Sequence, residues 1–268
     1  RKGKNGVDLF FAPPFAGVSS EYLSIVPDLR GDFGFYGLSA PGFSESEPIC
    51  HTVTELTRVY LRDLQASHDG NLLVLGGHSF GGVVACDMYS RLENKKDIKG
   101  IVLIDSPISY RAKNSAPLRD DVQFLYEILK EYGVDCSGVE KKSGVLDRRV
   151  GVSSLLECLL LDPLGALFDG LKGHQQLDFL HQWLKVLRGQ EAAVANHYIE
   201  ADFRIDVPVL YLKAEEGANG ADYASSYENH AKAGFTLTPV PGDHFSMIKN
   251  PENARIVARV ISDWLDSI

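Results

Sequence analysis

The sequence lacks three features that would place it in other classes of protein: an excess of basic residues, paired cysteines and a long uninterrupted apolar run. Its 268 residues carry 27 Lys and Arg against 36 Asp and Glu, a formal net charge of -9, so a nucleic-acid partner is not expected. The four cysteines have no C-x-x-C spacing, which predicts reduced thiols in a cytoplasmic protein and neither a metal site nor a disulfide framework. The most apolar stretch, residues 152–168, is interrupted by Glu157, Asp162 and Pro163, so we predict no membrane span and no membrane partner.

The sequence does contain a series of short apolar segments bounded by turn residues. Their length and continuous apolar character are typical of strands covered on both faces, as in a parallel sheet. Residues at helical spacing lie between them, so we predict an α/β fold with a mostly parallel central sheet flanked by helices. The predicted strands are residues 7–12, 33–38, 72–75, 100–104, 207–212 and 235–240.

Two helix starts are marked by their capping residues. Residues 52–55 (TVTE) have the capping-box pattern, and apolar residues at helical spacing follow them. Asn250 and Pro251 are typical of the N-cap and the first position of a helix near the end of the chain. The first residue is Arg1 and not Met, so we expect the chain to be a segment of a longer protein.

One long segment, about residues 107–206, breaks the alternation of strands and helices. It contains no clear buried strand and is far longer than an ordinary connection. Residues 121–132, 152–171 and 174–187 have helical patterns. Neither edge carries a linker rich in Pro, Gly or Ser, so we favour a single domain of residues 1–268, with a core of 1–106 and 207–268 and a helical insertion, over two domains.

Residues 75–82 (LGGHSFGG) allow two opposed interpretations of Ser79. Leu-Gly-Gly-His-Ser is similar to the site where a carrier protein receives its phosphopantetheine arm, which would make Ser79 an acceptor. The same residues contain the G-x-S-x-G nucleophile elbow, which would make Ser79 attack an acyl group. An apolar strand precedes Ser79 and a helical pattern follows it, which is the context that the elbow requires. Gly77 and Gly81 stand where side chains would clash in such a turn.

A serine nucleophile needs a base and an acid, in the chain order Ser, Asp or Glu, His. Of the eight histidines, His244 follows the last predicted strand, where it can reach Ser79 and exchange a proton near neutral pH. His78 lies inside the elbow and is expected to point away from the path of attack. Two positions compete for the acid. Asp105 ends the strand after the elbow helix and is favoured for its short side chain, while Glu215 and Glu216 follow the next strand.

An oxyanion hole needs two backbone N–H donors, one after the serine and one from the loop after an early strand. Phe80 would supply the first donor. In the loop of residues 13–17 (PPFAG), prolines have no N–H, so Phe15 is the first donor available and Ala16 is the alternative.

Five segments together resemble the type I thioesterase domains that end polyketide synthases and nonribosomal peptide synthetases, which belong to the α/β-hydrolase superfamily. They cover both ends of the chain and leave only the insertion unmatched. They are residues 11–17 (FAPPFAG), 36–42 (YGLSAPG), 75–82 (LGGHSFGG), 103–107 (LIDSP) and 241–247 (PGDHFSM).

The resemblance implies an α/β-hydrolase fold in which Asp105 is the acid and the insertion is a helical lid over the acyl pocket. It also implies a partner, an upstream carrier domain that delivers the acyl chain on phosphopantetheine, and no further cofactor. Ser79 would take the chain, and hydrolysis or intramolecular cyclisation would release it. A stand-alone type II editing thioesterase, a carboxylesterase and a ligand-binding module of the same fold are the alternatives.

Overall fold

The computed structural model describes residues 6–44, 46–67, 70–108, 120–140, 151–161, 174–197, 202–216 and 223–268. Within these ranges, six strands form one sheet in the order β2-β1-β3-β4-β5-β6, and every neighbouring pair is parallel. The predicted α/β fold is therefore confirmed. The strands are β1 (Val7–Ala12), β2 (Gly34–Gly37), β3 (Leu72–His78), β4 (Ile98–Ile104), β5 (Val209–Ala214) and β6 (Phe235–Val240).

Strand β3 is longer than the apolar run that predicts it. The run ends at Leu75, but Gly76 and Gly77 continue the ladder to both neighbouring strands. A Cβ atom on Gly76 would lie 2.5 Å from the Phe11 ring and 2.8 Å from the Val102 carbonyl oxygen. Glycine weakens an ordinary strand, but here it allows the neighbouring strands β1 and β4 to approach β3 closely.

Helices lie between the strands, and their starts follow the capping signals. Thr52 Oγ1 accepts from the Glu55 N–H at 3.1 Å, and Glu55 accepts from the Thr52 N–H at 3.1 Å, which completes the capping box. Asn250 accepts from the N–H groups of the second and third helical residues. The helices are α1 (Val53–Ser67), α2 (Phe80–Arg91), α3 (Asp121–Glu131), α4 (Val152–Leu161), α5 (His174–Ala195), α6 (Tyr223–Glu228), α7 (Ser246–Lys249) and α8 (Pro251–Ser267).

Three 3-10 helices complete the described elements: Ser19–Ser24, Val26–Asp28 and Ser137–Val139. The predicted helix over 152–171 is described as far as residue 161, and its remainder lies outside the described residues. Helix α5 continues eight residues beyond its predicted end at 187, because that extension has its own buried contacts. No helix in the described ranges combines the length and hydropathy needed to cross a membrane.

The two faces of the sheet pack against different helices. Along β1, Phe10 packs into a core with residues of α1 and α2, whereas Leu9 and Phe11 pack into a second core with residues of α8. Side chains of a strand alternate between the two faces of a sheet, so a strand covered on both sides is apolar at every position. This packing explains the apolar runs of β3 and β4, whereas β1 also buries Asp8 and the edge strand β6 is partly exposed.

The chain forms two compact units. The first consists of residues 1–41, 48–111 and 187–268 and holds the six strands. The second consists of residues 42–47 and 112–186, and in it α3 packs against α4. A single domain with a lid over residues 107–206 stays a prediction.

Candidate active site

Ser79 lies in a strained turn between β3 and α2. Its backbone has φ 53° and ψ -122°, which a residue with a side chain rarely adopts. Hydrogen bonds on both sides hold this conformation: the Ser79 N–H donates to the Ile104 carbonyl at 2.9 Å, and the Ser106 hydroxyl donates to the Ser79 carbonyl at 2.7 Å. The turn points the serine side chain away from the ladder, at the carboxyl end of the sheet.

The glycines around Ser79 are required by close contacts. A Cβ atom on Gly77 would lie 2.3 Å from the carbonyl carbon of Gly81, and one on Gly81 would lie 2.3 Å from the carbonyl oxygen of Ala12. A Cβ atom on Gly82 would lie 2.3 Å from the hydroxyl oxygen of Ser106. The elbow is thus packed against the ends of β1 and β4.

Asp105 follows β4 directly, also with a positive φ of 41°. Its N–H donates to the Leu212 carbonyl at 2.8 Å, and its Oδ1 accepts from the Ala214 N–H at 3.3 Å. These two bonds tie the residue to β5 and leave Oδ2 directed at His244, whose Nδ1 is 2.7 Å away. Asp105 is largely buried, at 8% exposure, so water has little access to its carboxylate, whereas His244 stays partly exposed.

His244 is carried by a tight turn after β6. Asp243 Oδ1 accepts from the N–H groups of Phe245 at 2.9 Å and Ser246 at 2.7 Å, and these bonds lower the pKa of Asp243. Gly242 has φ 95°, as this turn demands. Asp243 therefore shapes the turn that presents His244, and His244 Nε2 lies 2.9 Å from Ser79 Oγ.

The competing acids lie elsewhere. The side chains of Glu215 and Glu216 are exposed, and their N–H groups donate to the carbonyls of Val240 and Gly242 at 3.0 Å. The structure brings Asp105, not either glutamate, to His244. A hydroxyl, an imidazole and a carboxylate joined in this order can transfer a proton from the serine and stabilise the imidazolium that forms.

The two expected oxyanion donors lie beside the elbow. Phe80 begins α2, and Phe15 lies in a turn after β1 that the Gly17 N–H closes onto the Pro14 carbonyl at 2.9 Å. Ala12 is paired with Gly77 in the sheet, which brings this turn next to Ser79. The rings of Phe15 and Phe80 meet edge to face, with centroids 6.3 Å apart.

Sequence reasoning assigned no role in the site to three neighbouring residues: Tyr22, His78 and Ser106. The Tyr22 hydroxyl donates to the Ala12 carbonyl at 2.6 Å and accepts from the His78 N–H at 2.9 Å. The His78 ring is buried and binds the His244 carbonyl at 2.8 Å through Nε2. His78 lies in the elbow motif and Ser106 directly follows Asp105, so both have a signal in the sequence, but no local signal points to Tyr22.

Burial shifts the pKa values of two groups near His244. Desolvation holds the pKa of His78 well below its usual value, and the neighbouring His244 lowers it further. Desolvation raises the pKa of Glu21 to about 7, against the opposing attraction of Lys249 and His244. Within the described residues, no three His, Cys, Asp or Glu side chains cluster as a metal site would require.

Comparisons with known proteins identify the family and the fold of the chain. The family model described as thioesterase domain matches residues 7–148, more than half of the chain. A probable non-canonical nonribosomal peptide synthetase, CymA of Salinispora arenicola, is 25% identical over 269 residues, which cover 100% of this chain and 3% of that protein. A non-reducing polyketide synthase of Pseudevernia furfuracea is 28% identical over 261 residues, which cover 94% of this chain and 12% of that protein.

Solved structures show the same fold. A four-domain nonribosomal peptide synthetase bound to AMP and glycine superposes with a TM-score of 0.75 at 20% identity, over 98% of this chain and 20% of that one. The Vlm2 thioesterase domain bound with a dodecadepsipeptide superposes with a TM-score of 0.68 at 22% identity, over 98% of this chain and 94% of that one. The chain therefore belongs to the thioesterase domain family, with an α/β-hydrolase fold, and it is similar to parts of nonribosomal peptide and polyketide synthases.

Proposed function

We propose that this domain takes an acyl, peptidyl or polyketide chain from the phosphopantetheine thioester of a carrier domain onto Ser79, and then releases the chain. The observation that carries the proposal is the hydrogen-bonded series from Ser79 Oγ through His244 to Asp105 Oδ2, with distances of 2.9 and 2.7 Å. The proposed partner is an upstream carrier domain, which is supported by the similarity of this chain to a small part of a much longer synthetase and to part of a four-domain one.

In the first half of the reaction, Ser79 Oγ attacks the thioester carbonyl and its proton passes to His244 Nε2. The Asp105 carboxylate accepts from Nδ1–H, which fixes the tautomer and stabilises the imidazolium. The backbone N–H groups of Phe80 and Phe15 receive the developing oxyanion. The C–S bond then breaks, the sulfur takes the proton from His244, and an ester of Ser79 remains.

In the second half, His244 takes a proton from the incoming nucleophile, which attacks the ester carbonyl. Water as nucleophile gives hydrolysis, and a hydroxyl, amine or carbon nucleophile of the chain itself gives intramolecular cyclisation. Collapse of the intermediate returns the proton to Ser79 Oγ and frees the product. The Ser79 machinery is the same for both outcomes, so the route depends on which nucleophile reaches the ester.

Covalent labelling with a fluorophosphonate tests the role of Ser79. We expect the wild-type protein to be labelled and Ser79→Ala to lose the label completely, since the phosphonate is captured by an activated serine. Ser90→Ala is the matched control, because Ser90 lies on the same helix and its hydroxyl donates to the Asp87 carbonyl at 2.8 Å. Equal labelling of wild type and Ser79→Ala, or no labelling of the wild type, would reject the proposal.

Product analysis tests the chain-releasing activity itself. The substrate is a thioester on synthetic pantetheine whose chain carries a terminal hydroxyl. The free acid and the macrolactone are separated by mass spectrometry, and both are expected to be absent with Ser79→Ala. If the same chain presented as a simple oxygen ester is released faster than the thioester, the domain is a carboxylesterase.

A further inference from the structure

His78 makes two contacts with the same residue of the proposed site. Its Nε2 lies 2.8 Å from the His244 carbonyl oxygen, and its ring centroid lies 4.6 Å from that of the His244 ring, at an interplanar angle of 35°. A carbonyl oxygen only accepts hydrogen bonds, so Nε2 of His78 carries the proton and donates. The residue is 1% exposed, so water does not compete for this bond.

The main chain of His78 is held from the opposite side. Its N–H donates to the Tyr22 hydroxyl at 2.9 Å, and that hydroxyl donates to the Ala12 carbonyl at 2.6 Å. Tyr22 and His78 thus form what we name the strand-end bridge, which joins the end of β1, the elbow after β3 and the turn of His244. The three segments that carry the proposed oxyanion donors, nucleophile and base are connected through it.

We propose that His78 is a positioning residue for acyl transfer, whose Nε2–H holds the main chain of His244 so that the imidazole keeps contact with Ser79 and Asp105. The inference rests on the proposed function. Catalytic groups must stay within about 0.5 Å of their productive positions, and a displacement of about 1 Å costs about 100-fold in rate. His244 is carried by a turn and not by a helix or strand, so its position depends on such bonds.

The charge state of His78 suits this role. Burial keeps its ring neutral, so it does not repel the imidazolium that forms on His244 during proton transfer. Its Nδ1 is buried and has no hydrogen-bond partner among the described residues. An unpaired buried nitrogen lowers stability, and an apolar ring would avoid that cost. Stability alone therefore does not account for histidine at this position.

Three substitutions separate a positioning role from a packing role. His78→Phe keeps a ring and removes the donor. His78→Gln keeps a donor at about the reach of Nε2, whereas His78→Asn has the same amide on a side chain one methylene shorter. His230→Phe is the matched control, because His230 binds the Phe203 carbonyl at 2.7 Å through Nδ1 away from the site.

The measurements are the rate of fluorophosphonate labelling, and kcat and KM for a pantetheine thioester. We expect His78→Phe and His78→Asn to lower the labelling rate and kcat about 10- to 100-fold with KM nearly unchanged, and His78→Gln to recover most of the rate. His230→Phe should label at the wild-type rate.

Labelling of His78→Phe at the wild-type rate would overturn the inference while leaving the proposed function intact. The inference would also be overturned if His78→Gln and His78→Asn lost labelling rate and kcat equally and in proportion to their loss of melting temperature. Such a result would indicate that His78 acts through packing. If His78→Phe does not fold, the Gln and Asn pair decides. Failure of the wild-type protein to label would instead overturn the proposed function and the inference with it.

Discussion

The two compact units of the chain differ in the contacts that hold them. In the first unit, residues at the strand ends have positive φ angles, glycines that touch main-chain atoms, and buried polar groups joined by hydrogen bonds. In the second, the polar contacts include the pair of Lys130 with the Glu140 carboxylate at 3.0 Å, and Lys130 is half exposed. Backbone geometry at the strand ends is therefore dictated by tertiary contacts, whereas α3 in the second unit begins at a local N-cap, Asp120.

The largest expected difference is in kcat, between the carboxylate of Asp105 and those of Glu216 and Glu140. Asp105→Asn should lower kcat about 1,000- to 10,000-fold, because an amide cannot hold the required tautomer of His244 or stabilise its charge. The matched substitutions Glu216→Gln at the next strand end and Glu140→Gln in the second unit should leave kcat within about twofold. Turnover of a pantetheine thioester measures all three. A large loss of kcat in Glu216→Gln with a small loss in Asp105→Asn would instead identify Glu216, which follows β5, as the catalytic acid.

The next largest expected difference is in folding free energy, between substitutions at Gly77 in the first unit and Gly138 in the second. Gly77→Ala places a Cβ atom 2.3 Å from the Gly81 carbonyl carbon, which cannot give way, so we expect a loss of about 3 kcal/mol or more in folding free energy. Gly138 in the second unit has nothing within 4 Å of the same position among the described residues. Gly138→Ala should therefore change stability by less than about 0.5 kcal/mol. Denaturant unfolding compares the two, and similar losses would contradict the contrast between the units.

The smallest effects are expected at the helix N-caps, where the two units should behave alike. Asp120 accepts from the Gln123 N–H at 2.8 Å at the start of α3, and Asn250 accepts from the Glu252 N–H at 2.9 Å at the start of α8. Asp120→Ala and Asn250→Ala should each cost about 1 kcal/mol, a shift in melting temperature of about 2 to 4 °C.

Only the functional readout should distinguish these two N-caps. Asn250 also follows the turn of His244 and α7, so Asn250→Ala should slow fluorophosphonate labelling of Ser79, whereas Asp120→Ala should not. Slower labelling in Asp120→Ala at matched stability would show that the second unit contributes to activation of the serine.

Much of the fold could be predicted because its signals are local. The strands β1 and β6 begin and end at the predicted residues. All six residues of β1 are buried, and Gly234 and Gly242, both with positive φ, lie on either side of β6. The end of β3 could not be predicted, because two consecutive glycines, Gly76 and Gly77, are typical of a turn. Their place in the strand follows from their pairing with β1 and β4. The length of α5 was underestimated because its last residues are held by packing with the core of the first unit.

The candidate site also has a part that the sequence predicts and a part that only the structure decides. Ser79, His244 and the strand-end acids are visible in the sequence, because parallel strands bring their carboxyl ends to one edge and the chemistry of each residue type is intrinsic. The choice between Asp105 and Glu216 remained open from spacing alone. It depends on the main-chain bonds of Asp105 to β5, which turn Oδ2 towards His244.

The sequence by itself determined the apolar periods, the helix caps and the residue types at the strand ends, because these depend on neighbours within a few positions. Only the tertiary structure decided which of those residues meet. His78 is the clearest example: the elbow motif does not specify the residue at this position, and only the structure shows its Nε2 beside the His244 carbonyl. The direction of a side chain at a strand end follows from the twist and pairing of the whole sheet, which no local pattern encodes.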